Sequence, residues 1–168
     1  MPDAFYMLSK MGLQTDQYLK FPASHKWSRD DDDILWRYVC DDATPQGPLS
    51  FTLKGRKKVD MMLATGLFFT VNERTRELIE DSKFTGAKFF PLRVPKLGAK
   101  VWGLTCCGRL PAPRREGIET YFKPALKKWD GSDFFTVDTT HCKCITARVK
   151  KAFEEAKITG VWFTKLDK

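Results

Sequence analysis

Along this 168-residue chain the apolar positions fall in short runs divided by polar turns, a pattern of strands with few helices. Ala4-Phe5-Tyr6-Met7-Leu8 predicts a short buried strand. Residues 12–33 keep no period and hold Pro22 and the run Asp30–Asp33, which predicts a loop. The aromatic and β-branched stretch Ile34–Val39 predicts a strand. Pro45-Gln46-Gly47-Pro48 marks a turn, and Leu49, Phe51 and Leu53 then alternate with Ser50 and Thr52 as a half-buried strand does. Gly55–Lys58 predicts a basic turn and Lys100–Thr105 a further strand. Cys106 to Arg115 predicts a loop, and Gly117–Gly131 a short amphipathic helix with Tyr121, Phe122, Leu126 and Trp129 on its apolar side.

One pattern occurs twice. Val71–Leu92 aligns without gaps on Ile145–Leu166, 74 positions later, with seven identities in 22: Arg74/Arg148, Glu80/Glu154, Lys83/Lys157, Thr85/Thr159, Gly86/Gly160, Phe89/Phe163 and Leu92/Leu166. A Phe-rich strand candidate precedes each copy, Leu67–Thr70 and Phe134–Val137. Asn72 and Thr146 suit N-caps, each with a side-chain oxygen for a first-turn amide. Val149, Ala152, Phe153 and Ala156 form one helical stripe, and Leu78 and Ile79 supply the same face in the first copy. Gly86 and Gly160 are expected to end the helices in a left-handed conformation, before strands Ala87–Leu92 and Val161–Leu166. The pattern predicts an α+β fold. Its mixed sheet would be built around two pseudo-repeated strand–helix–strand units (67–92 and 134–166) in a single domain spanning 1–168.

Composition adds a large core and a basic surface. The chain is 42% hydrophobic with 13 Phe, and no apolar run approaches the ~18 residues of a membrane span. The opening residues lack a basic and apolar leader, so a cytoplasmic, non-membrane protein is expected. Five cysteines, an odd number, predict reduced thiols. The net charge of +8 is uneven: residues 1–53 carry five Lys/Arg against eight Asp/Glu, and the remainder carry 24 against 13. The bases mostly alternate with acids, as on a solvated surface.

Candidate chemistry is sparse. Cys106 and Cys107 with His141, Cys142 and Cys144 offer soft zinc ligands, but Cys-Cys and C-x-C suit a tetrahedral ion less well than C-x₂-C. They are weak candidates, and no metal or other cofactor is expected. A Cys/His nucleophilic pair, such as Cys107 with His141, would need its partners to converge in space. The chain has no nucleophile elbow, zincin helix, phosphate loop or dinucleotide fingerprint. No catalytic residue is assigned, and the expected protein is not an enzyme.

The pattern of an apolar strand, [TS]-x-R (Thr146-Ala147-Arg148, with Asn72-Glu73-Arg74 in the first copy), a helix and then T-G-[VA]-x-F-x-x-L resembles immunity proteins encoded beside polymorphic or contact-dependent bacterial toxins. It is most similar to the family named for a double C-x-x-C-G motif. This chain has Cys106-Cys107-Gly108 in place of C-x-x-C-G, so no metal ligands carry over. The resemblance implies an α+β protein that neutralises a cognate toxin, encoded by a neighbouring gene, through stoichiometric occlusion. Charged residues outside the copies, Asp31, Asp32, Arg114, Arg115, Lys127 and Lys128, are the expected partner contacts. The alternative is a nucleic-acid-binding module using the basic part of the chain, with salt-sensitive affinity.

Overall fold

A computed structural model describes residues 4–10, 18–20, 49–50, 52–54, 58–64, 68–94, 99–111, 128–137 and 142–166. The first elements are β1 (Phe5–Lys10), β2 (Tyr18–Lys20), β3 (Leu49–Ser50), β4 (Thr52–Lys54) and β5 (Met61–Ala64). There follow β6 (Phe68–Asn72), α1 (Glu73–Asp81), β7 (Ala87–Arg93), β8 (Val101–Cys106) and β9 (Gly108–Leu110). The chain closes with β10 (Phe134–Val137), β11 (Cys142–Thr146), α2 (Ala147–Glu155) and β12 (Val161–Lys165). The fold is mixed α+β, with two helices and two sheets among the described residues, the sheets ordered β12-β1-β11-β10-β9 and β3-β7-β8-β6-β5-β2-β4. Parallel pairing joins β9 to β10, β2 to β5 and β3 to β7, and the other neighbours are antiparallel.

Each helix crosses over a strand from elsewhere in the chain. β8 lies between β6 and β7, and the N-terminal β1 lies between β11 and β12. The registers coincide. Tyr6 sits opposite Ile145 and Lys165, while Trp102 sits opposite Val71 and Pro91, which are the positions 74 residues earlier. Leu8 faces Phe163 as Leu104 faces Phe89.

One apolar cluster draws on both sheets and both helices. Leu8, Met61, Phe69, Val71, Ile79, Leu104, Phe134, Ile145, Val149, Phe153 and Val161 are all buried in it. Burying each of these large side chains is worth about 1.5–3 kcal/mol. The predicted stripe holds at Ile79, Val149 and Phe153, whereas Leu78, Ala152 and Ala156 are only half-buried.

Several expectations are corrected. Met61–Ala64 and Cys142–Thr146 are strands that the pattern did not show, since neither run alternates. Leu67–Thr70 was paired with Phe134–Val137, but β6 runs straight into α1 and matches β11, so β10 matches β5. The alternating stretch 49–53 divides into β3 and β4, which pair with different strands. Within the expected 12–33 loop, Tyr18–Lys20 is a strand, and the expected loop from Cys106 contains β9. The predicted strand Ile34–Val39 lies outside the described residues, as does the predicted helix up to residue 127.

The helix ends also differ from expectation. Asn72 Oδ1 caps α1 by accepting from the Thr75 amide, but Thr146 makes no side-chain cap on α2. Directly after the helices the left-handed residues are Lys83 (φ 52°) and Lys157 (φ 53°), not the glycines. Phe84 N–H donates to Ile79 O and Lys83 N–H to Glu80 O, with Ile158 to Phe153 and Lys157 to Glu154 in the other half. These are Schellman closures, and they satisfy carbonyls the helices would otherwise leave open.

Candidate functional site

Two aspartates, each holding the other half of the chain, centre a pair of matching polar clusters. Asp60, just before β5, accepts from the Thr159 amide (2.9 Å) and hydroxyl (2.7 Å), beyond the end of α2. Its second oxygen accepts from Asn72 Nδ2 (2.8 Å) and Arg74 (3.4 Å). Asp133, just before β10, accepts from the Thr85 amide (3.1 Å) and hydroxyl (3.4 Å), beyond the end of α1. It also takes Thr146 Oγ1 (2.9 Å), the hydroxyl that the N-cap assignment had given to a helix amide, and Arg148 (3.2 Å). The two Arg side chains reach on to the helix ends across the interface: Arg74 donates to Ala156 O, and Arg148 to Ser82 O at 2.7 Å. A cation at a helix C-terminus suits both the open carbonyls and the dipole.

The glycines belong to the same contact. A Cβ on Gly86 (φ 78°) would overlap the Phe134 carbonyl oxygen, and one on Gly160 (φ 88°) the Met61 carbonyl oxygen. Thr85 O and Thr159 O accept from the Phe134 and Met61 amides. Burial pushes the Asp60 carboxyl up, but the Thr159 and Asn72 hydrogen bonds and the Arg74 charge outweigh it and hold the pKa below its ordinary value. With its four lone-pair directions occupied, Asp60 is a clasp and has no free oxygen for acid–base work.

Helix bases are similarly engaged. Arg76 lies 4.0 Å from the Trp102 ring centroid and binds Glu80 at 3.0 Å, and Lys150 lies 5.1 Å from the Tyr6 ring and binds Glu154 at 2.6 Å. Glu73 accepts from Trp102 Nε1 at 2.6 Å. These contacts fasten each inserted strand to its helix.

Of the expected partner contacts, Lys128 is exposed. Asp31, Asp32, Arg114, Arg115 and Lys127 lie outside the described residues, as does His141. Cys107 is disulfide-bonded, contrary to the reduced state expected from the odd count, whereas Cys106, Cys142 and Cys144 are free. Burial pushes the Cys106 thiol up to about 12 and the Cys144 thiol higher still, so both stay protonated at neutral pH. Among the described residues no three His, Cys, Asp or Glu side chains converge where a metal ion could sit.

A second apolar cluster covers the other face of the five-stranded sheet: Phe5, Leu110, Phe135, Val137 and Cys144, with Met7, Trp129, Cys142 and Leu166 around it. On that face, opposite Ser9, stands Trp162, 55% exposed. Sequence reasoning missed it. The available signal was that Trp162 aligns with Lys88, a departure between the copies at a strand position.

The comparisons leave the chain on its own residues. It matches no family model and no curated protein.

Proposed function

We propose that this protein is an immunity protein that binds a toxin encoded by a neighbouring gene and neutralises it by occluding its active face, within the cytoplasm of the producing cell. The observation that carries this reading is where the resembling residues fall. Arg74, Arg148, Thr85, Thr159, Gly86 and Gly160, which carry the likeness to toxin-immunity proteins, all serve the clasp between the halves. The shared pattern therefore describes a frame, and recognition falls to what the frame displays. The excess of bases over acids after residue 53, with Lys128 exposed among them, suits an acidic toxin surface. No helix among the described residues is long and apolar enough to cross a membrane.

The test is co-expression of the tagged protein with the product of the adjacent upstream reading frame, followed by pull-down at low and then high salt. The reading expects a near-stoichiometric complex that survives the salt step and rescues the host from the neighbour's toxicity. Recovery of nucleic acid alone, released by salt, would replace it with the nucleic-acid reading.

A further inference from the structure

β12 ends the five-stranded sheet, and among the described residues it pairs with β1 alone. The Leu166 amide donates to Phe5 O on β1 at 2.9 Å. By the alternation of an antiparallel ladder, the N–H and C=O groups of Val161, Phe163 and Lys165 therefore face away from β1. The matching strand, β7, differs on both counts. Its outer side carries the chain's own β3, running parallel with Leu49 opposite Leu92 and Ser50 opposite Arg93. At the position of Lys165 it has Pro91, which lacks an N–H.

Beside the β12 edge stands Trp162, the exposed large hydrophobic side chain among the described residues. An added strand would lay a side chain against its ring. Tryptophan is among the residues most enriched where interfaces draw their affinity. Lys165, also exposed, places a cation near the end of the same edge.

We propose that the outer edge of β12 is a docking site for an extended segment of a partner protein. The segment adds as a further strand, packs an apolar side chain on Trp162 and sets an acidic one near Lys165. The partner's identity as the toxin rests on the reading above, whereas the site does not. β3 on β7 is the chain's own instance of such an occupant: a short extended segment lying parallel. A second copy meeting β12 about a two-fold axis would instead lie antiparallel.

Two variants address the edge. Lys165→Pro copies Pro91 and removes an outward N–H, and Trp162→Ala removes the exposed ring. Lys151→Ala, on the exposed face of α2, is the control. The full-length protein is panned against a displayed library of short unstructured peptides, and the enriched peptides are measured against all four proteins. The expected result is enrichment of acidic–apolar peptides that bind wild type and Lys151→Ala alike. They should bind Trp162→Ala and Lys165→Pro at least about tenfold more weakly, with thermal unfolding unchanged. No enrichment, or equal binding by all four proteins, would overturn the site. Self-association of the wild type in sedimentation, relieved by Lys165→Pro, would overturn the choice of occupant. The pull-down on the same variants separates the two readings. Peptide binding without a toxin complex removes the toxin and keeps the edge, and a complex indifferent to both variants does the reverse.

Discussion

At the scale of single residues, the backbone conformations after the helices assign different duties to lysine and glycine. Lys83 and Lys157 take the left-handed conformation with a side chain attached, at a cost of roughly 1 kcal/mol that glycine would not incur. Lys83→Gly and Lys157→Gly should therefore each raise stability by up to about 1 kcal/mol in urea unfolding. Gly86→Ala and Gly160→Ala should each lower it by more than about 2 kcal/mol, since each Cβ meets a backbone carbonyl of the other half. An indifferent Gly160→Ala would show that the close approach is absent in solution. The sequence marked all four positions as shared between the copies, but a shared Gly has the same appearance whether it ends a helix or makes room for a neighbour.

Among elements, the helices and the strands following them were legible because their signals are local. Asn72 as a cap and the stripe through Val149 and Phe153 need only a few residues of context. The insertion of β1 and β8 was not legible, because a strand's own alternation says nothing about which distant strands flank it. The aspartates were hidden by arithmetic. Asp60 and Asp133 are 73 positions apart while the copies are 74 apart, so an ungapped comparison places them out of step. The added residue falls in the hairpin connection, three residues between β5 and β6 against four between β10 and β11.

The clasp element carries a pH signature. Asp60 has a lowered pKa in the fold, so its contribution is present above the unfolded value of about 3.9 and is lost as pH falls through the folded value. Asp60→Asn should cost about 1–3 kcal/mol at neutral pH. It should also flatten the loss of stability between about pH 5 and 2 that the wild type shows. Parallel wild-type and variant curves over that window would remove Asp60 from the account.

For the whole molecule, the contact between the halves matters more than either half. β1 completes the sheet of β11 and β12, β8 completes that of β6 and β7, and each aspartate holds the threonine just beyond the end of the other half's helix. The strands β11 and β12 meet only through the N-terminal β1, and both sheets feed the cluster around Phe69, Phe134 and Phe153. Such a frame holds its outer strand edges in a constant arrangement. Function was the least legible feature, because the residues that carry the likeness are those the frame consumes.

Calorimetric unfolding of wild type, Asp60→Ala and Asp133→Ala tests this interlock most directly. The account predicts one cooperative transition in all three proteins, shifted down by a similar amount in both variants. Two separable transitions, with each variant lowering only one of them, would contradict it, because the halves would then be folding as neighbours and not through each other.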